Sequence, residues 1–213
     1  MADFYFDKYE ITVGRFRQFV KAGMGTRANP PAAGAGAHPL IAGSGWDSTW
    51  NTYLHANAVD MEAAVKCDAS NQTWTDEAGS NESQPMNCLD WYLAFAFCAW
   101  DGGRLATDDS YAVYCGGSCR AQKVGSKSPK CDGKWGHSDL AGNVEEWTLD
   151  WYSSSYPTPC NNCSELTRAS DRVVRGGSFY YGAEFLLSDY RYNFSDPKIP
   201  SRTIGARCAR SNP

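Results

Sequence analysis

Residues Gly136 to Tyr152 read G-H-S-D-L-A-G-N-V-E-E-W-T-L-D-W-Y. Asp139, the small turn Ala141-Gly142-Asn143 and the acidic pair Glu145-Glu146 would gather carboxylate oxygens and turn carbonyls around one point. Trp147, Trp151 and Tyr152 follow as heavy apolar anchors. An oxygen-only cluster suits a hard cation, calcium above all, which takes about six to eight oxygen ligands and accepts backbone carbonyls among them. The competing reading is a tight turn between strands with solvated acids. Spacing alone favours that plainer reading, because the EF-hand frame is absent.

Working outward, Trp147 to Trp151 reads as a strand, and Arg172 to Arg175, Ser188 to Asn193 and Ile204 to Ala209 are further short strand candidates. At the other end, Phe4 to Tyr9 alternates aromatic and polar residues as a half-buried strand does. Thr12 can cap a helix from Val13 to about Ala22, with Val13, Phe16, Phe19 and Val20 on one face and Gly23 as its stop. Asp90 opens a second helix, Trp91 to Trp100, apolar nearly all round and therefore expected to be buried; it stops at Gly102-Gly103. Residues 23–87 are rich in Gly, Ala, Pro, Asn and Ser, with Trp46, Trp50, Tyr53 and Trp74 between them. They read as long irregular structure pinned by buried aromatics, with the Ala-Gly run at 32–37 as a flexible tip. Two early helices followed by short twisted strands describe an α+β chain, and 213 residues suit a single domain over 1–213.

Composition excludes several functions. The formal net charge is −4, with Lys and Arg spread along the chain, so the electrostatic footprint of a nucleic-acid binder is not expected. The longest apolar run is about half of a membrane span, and Met1-Ala2-Asp3 carries no export signal. His38, His55 and His137 lie far apart and no serine sits in a nucleophile elbow, which argues against a Ser-His-Asp triad. Gly176-Gly177-Ser178 lacks the phosphate-loop lysine.

Nine cysteines argue for an oxidising compartment, so a secreted, periplasmic or cell-surface location is expected. Cys115 with Cys119 and Cys160 with Cys163 form two close pairs in loop-like sequence. Disulfides are the favoured reading; a zinc site is the rival, since C-x₃-C followed by C-x₂-C has ligand-like spacing.

Five ordered segments carry a family resemblance: Phe6-Asp7-Lys8-Tyr9-Glu10-Ile11-Thr12; the Asp90 to Trp100 helix running into Gly103-Arg104-Leu105-Ala106-Thr107; Asp139-Leu140-Ala141-Gly142-Asn143-Val144 with Glu146-Trp147; Arg175-Gly176-Gly177-Ser178; and Ile204-Gly205-Ala206-Arg207-Cys208. The chain resembles the sulfatase-modifying-factor family, whose type enzyme is the formylglycine-generating enzyme, nearly end to end. The resemblance implies a loop-rich C-type-lectin-like fold with two helices and short twisted antiparallel strands. It places a calcium site on Asp139, the carbonyls of Gly142 and Val144, and Glu146. It also implies a disulfide between Cys98 and Cys208, whose long loop is worth roughly 4 to 5 kcal/mol in the chain-entropy model. Cys67 with Cys88 completes the pairs, leaving Cys131 as the odd thiol.

The departures from the family matter as much. Its enzymes bind copper through two cysteines shortly after R-G-G-S, and soft thiolates are what Cu(I) requires. Here those places are Tyr181 and Leu186, with no cysteine between Cys163 and Cys208. Copper is therefore not expected, and no catalytic residue is assigned. About thirty residues of the family pattern are missing after Thr107, and Glu145 stands where the family commonly has tryptophan. The expected function is a calcium-stabilised, disulfide-bonded binding or assembly module without oxidase activity. Tyr180, Tyr181, Tyr190, Arg191 and Tyr192 would lie near the family's substrate groove and contact a protein, peptide or glycan ligand. The alternatives are a formylglycine-generating oxidase acting on a sulfatase cysteine, and a self-assembling subunit forming homo-oligomers or filaments.

Overall fold

The computed structural model describes residues 4–108, 120–129, 132–155, 160, 163–182, 185–187, 190–191 and 196–211. Cys115, Cys119, Cys131 and Tyr192 lie outside them. Two small sheets frame a helical layer. In the first, β1 (Phe4–Phe6) and β2 (Arg104–Leu105) flank the C-terminal β6 (Cys208–Ser211), both antiparallel to it, with Phe6 opposite Ala209 and Leu105 opposite Cys208. In the second, β3 (Glu145–Trp151) lies between β4 (Arg172–Arg175), antiparallel, and β5 (Ile204–Ala206), which runs parallel to it. All seven residues of β3 are buried, as a central strand covered on both faces requires.

The helices form as their sequences direct. The Thr12 hydroxyl accepts the Arg15 N–H at the start of α1 (Val13–Lys21), and the Asp90 carboxylate accepts the Leu93 N–H at 2.8 Å at the start of α3 (Trp91–Trp100). Helix α3 has no polar face, and Trp91 through Cys98 are buried. The Phe16 and Phe19 rings of α1 meet Phe97 of α3 at 6.1 and 5.5 Å, while Trp46, Trp50, Trp91 and Phe95 interlock at 5.2–5.8 Å. The Arg172 guanidinium fits between Trp91 and Trp151, 3.7 Å from each ring centre. Burial there lowers its pKa to about 9, with Tyr92 and Asp150 pulling it back up.

Four expectations need correcting. Residues 23–87 are not wholly irregular: a 3-10 helix spans Ser48–Tyr53 and α2 spans Ala58–Ala64, capped by Asp47 and Asn57, so the described chain has three α-helices rather than two. Their short length and lack of an apolar stripe hid them. The Ala-Gly run is held in place, because Gly34 donates to the Trp46 carbonyl and Trp46 donates back to the Ala35 carbonyl, at 2.8 and 2.9 Å. The strand expected over Ile204 to Ala209 is broken at Arg207 into β5 and β6, which belong to different sheets. The break occurs because the Arg207 side chain turns into the interior. Of the strand expected over Ser188 to Asn193, the described Tyr190 and Arg191 are not in a strand.

The Cys98–Cys208, Cys67–Cys88 and Cys160–Cys163 disulfides are all formed, so the last pair is not a zinc-ligand pair. Cys98–Cys208 joins α3 to β6 across 110 residues of sequence. Replacing both cysteines by alanine should lower unfolding stability by a few kcal/mol, with roughly 4 to 5 as the chain-entropy ceiling, and leave the native near-UV spectrum unchanged. Denaturant melts of the two proteins check this.

Candidate functional site

Two charged assemblies sit at the ends of β3. The first gathers around Arg207, which is fully buried. Its Nε donates to both carboxylate oxygens of Glu146 at 3.0 and 3.2 Å, and its Nη2 donates to Glu146 Oε1 at 2.8 Å and the Ser138 carbonyl at 2.7 Å. Its Nη1 donates to the carbonyls of Asp7 and Lys8 at 3.1 and 2.7 Å. Glu10, also at 0% exposure, lies with Oε2 4.0 Å from the same guanidinium, yet neither of its oxygens has a hydrogen-bond partner. Burial pushes the Glu10 carboxyl well above its ordinary range; Arg207 opposes this, while Glu146 and Asp139 add to it.

Asp139 closes the group. Its backbone adopts φ +58°, and Asn143 at +63° and Gly142 at +102° share the left-handed region in the same turn. Two non-glycine residues held there within five positions mark a backbone fixed by its surroundings. The Gly125 N–H donates to Asp139 Oδ2 at 2.5 Å, Gly142 donates to the Gly176 carbonyl at 2.7 Å, and Phe179 donates to the Asn143 carbonyl at 2.8 Å. The turn is thereby tied to the R-G-G-S segment after β4.

Glu10, Asp139 and Glu146 thus face one guanidinium, two charges short of neutrality when all are ionised. The available donors are all oxygen, and the orphaned Glu10 oxygens are what a bound cation would satisfy. Of the expected ligands, the Glu146 carboxylate is shared with Arg207, and Asp139 Oδ2 accepts the Gly125 N–H. Glu10 and Arg207 were missed by the sequence reading. The available signal was a charge embedded in an apolar run, Tyr9-Glu10-Ile11 and Ala206-Arg207-Cys208. Beside them Glu145, 2% exposed, has Oε2 without a partner, and burial lifts its pKa to about 7 against the Thr203 hydrogen bond.

The second assembly lies at the other end of β3. Asp108 pairs with Arg175 Nε at 2.8 Å and Arg191 Nε at 2.5 Å. Asp150 accepts the backbone N–H groups of Asp108 and Glu165 at 2.9 and 2.8 Å, yet burial raises its pKa to about 6 in spite of them. Arg191 also donates to the Ser153 carbonyl at 2.6 Å, and its side chain is only 10% exposed. Arg191 is thereby held between the Asp108 carboxylate and the Ser153 carbonyl.

Beside the second assembly, whose Arg175 donates to the Tyr190 carbonyl, Tyr180, Tyr181, Phe185 and Tyr190 form a run of touching rings with centres 5.0–5.6 Å apart. Tyr180 is 61% exposed and Leu187 50%, whereas Tyr181 is half-buried and Leu186 buried. The Arg202 guanidinium stands 4.9 Å over the Tyr180 ring.

A loop-rich α+β chain with two small sheets, a buried helix and a disulfide from that helix to the C-terminal strand is a C-type-lectin-like domain. The chain belongs to the sulfatase-modifying-factor family: the model of the sulfatase-modifying factor enzyme 1-like domain matches residues 1–127 and 118–212. The mouse formylglycine-generating enzyme is 23% identical over 252 aligned positions, which cover 97% of this chain and 65% of that protein. The chain therefore spans about two thirds of that relative. Among solved structures, PvdO of Pseudomonas aeruginosa aligns with a TM-score of 0.61 at 19% identity, over 98% of this chain and 80% of the other. Treponema denticola variable protein 1 aligns at 0.51 and 20% identity, over 71% and 81%.

Asp150 gives the site a pH dependence. Its raised folded pKa means that its contribution is fully present below the unfolded value near 3.8 and is lost as pH rises through about 6. Unfolding free energy should fall by about 1 to 3 kcal/mol from this group between pH 4 and 7. Asp150→Asn should flatten that part of the profile, as measured by denaturant melts across pH.

Proposed function

We propose that this chain is a calcium-stabilised, disulfide-bonded binding module of the family that works outside the cytoplasm and lacks the family's copper oxidase chemistry. The observation that carries the reading is the pair Tyr181 and Leu186 at the copper positions. A phenol and a hydrocarbon offer no soft thiolate, and among the described residues every cysteine is disulfide-bonded. Asp139, Glu146 and the carbonyls of Gly142 and Val144 would hold calcium, with the buried Glu10 carboxylate adding negative charge nearby. When bound, the ion supplies positive charge that offsets the carboxylate excess around Arg207. The protein's own residues do the rest: the Asp139–Asn143 turn holds the R-G-G-S segment, and that segment presents Tyr180, Tyr181 and Leu187 to a ligand. Rigid tyrosines backed by anchored arginines provide contact area at low entropic cost, which suits a protein, peptide or glycan surface.

Calcium titration followed by thermal melts tests this. Calcium should bind near one per chain and raise the melting temperature, by about 2.7 kcal/mol of stability at a hundredfold excess over Kd. Glu10→Gln separates cation binding from plain packing. It should weaken calcium binding at least tenfold, yet stabilise the calcium-free protein by removing a buried unpaired carboxylate. An absence of calcium binding, or a Glu10→Gln variant destabilised equally with and without calcium, would overturn the reading.

A further inference from the structure

One surface borders the Asp139 turn, through Gly125 and Gln122, but none of its exposed side chains belongs to the proposed cation ligands or the tyrosine run. Between Arg120 and Lys134 the sequence carries Arg120, Lys123, Lys127, Lys130 and Lys134 against Asp132 alone, a local excess of four positive charges in a chain of net −4. The described members Arg120, Lys123, Lys127 and Lys134 are all exposed, as is Lys8 on the neighbouring N-terminal segment. The lone acid is occupied internally, its carboxylate accepting the Ser128 and Ser138 hydroxyls at 2.6 and 2.7 Å. Next to it Gly133 donates to the His137 carbonyl at 2.7 Å and Gly136 to the Gly133 carbonyl at 2.9 Å. This closes a tight turn whose tip is Trp135, 79% exposed, with the Lys134 ammonium 5.2 Å from its ring centre.

The turn is fixed to the body of the molecule. Ser138 donates to the Lys8 carbonyl at 2.9 Å, the His137 ring packs against Phe6 at 5.4 Å, and Val124 donates to the Ser83 carbonyl at 2.9 Å. A lone exposed tryptophan is ordinary by itself; what marks this one is its place at the tip of a fixed turn with an exposed lysine against its ring and further exposed lysines beside it.

We propose that this turn and its basic rim form a peripheral docking surface for an anionic lipid bilayer, with Trp135 at headgroup depth and Lys8, Lys127 and Lys134 against the lipid charge. Two features favour a bilayer over a polyanionic chain. An indole so fully exposed lines no cleft, and binders of single strands stack successive bases on several rings along a groove. A membrane interface requires no matching concavity; it takes an isolated tryptophan at headgroup level and rewards each nearby lysine with roughly fivefold in partition. The mode is surface attachment, consistent with the absence of a helix long and apolar enough to cross a membrane among the described residues.

The test is flotation of the full chain with vesicles of about 30 mol% phosphatidylglycerol in phosphatidylcholine, and with phosphatidylcholine alone. The protein should float with the anionic vesicles only, and less so as salt rises from about 0.05 to 0.3 M. Trp135→Ala should reduce partition several-fold, and Lys127→Glu with Lys134→Glu at least tenfold. Unchanged near-UV circular dichroism should show that both variants remain folded. No flotation with anionic vesicles, undiminished flotation of Trp135→Ala, or retention on a sulfated polysaccharide or single-stranded DNA without flotation would each overturn the proposal.

Discussion

The interaction on which the rest of the structure depends is the buried guanidinium of Arg207. It binds the carbonyls of Asp7 and Lys8, the carbonyl of Ser138 and the carboxylate of Glu146, so one side chain joins the N-terminal segment, the acidic turn and the central strand of the second sheet. A charge taken so far out of water is tolerable only when its donors are satisfied, and leaving one partner of a buried pair alone costs about 3 to 5 kcal/mol. Each segment it touches therefore has its position set by the others. The division of the C-terminal strand between two sheets falls at this same residue.

Much of the architecture was legible because it follows local rules. Thr12 and Asp90 are N-caps followed by apolar runs of different pattern, and those patterns alone separated the half-buried α1 from the fully buried α3. The pairing of Cys98 with Cys208 followed from resemblance to the family. What escaped was structure specified by distant partners. Tyr9-Glu10-Ile11 gives no local hint that Glu10 ends beside Arg207, nearly two hundred residues later. Similarly, nothing around Arg191 in the sequence announces its partners Asp108 and the Ser153 carbonyl. The 3-10 helix and α2 are too short for periodicity to announce them.

The candidate site shows the same division. The turn from Asp139 to Asn143 was visible as an oxygen-rich cluster, whereas the excess negative charge that gives the cluster a reason to hold a cation became visible only with Glu10 in place. The charge balance of the whole chain concealed another feature. Lysines and arginines that look scattered along 213 residues are concentrated locally between Arg120 and Lys134, around an outward tryptophan. The molecule thus carries a structural turn, a tyrosine run and, hydrogen-bonded to that turn, a basic tip on one disulfide-bonded frame.

The central claim is that an oxygen-bound calcium has a place in this chain and a thiolate-bound copper does not. Mass-spectrometric metal inventory of the purified native protein, taken with a free-thiol count, tests it most directly. The account predicts calcium near one per chain, no copper, and at most one free thiol. Stoichiometric copper accompanied by two or more free thiols would contradict it.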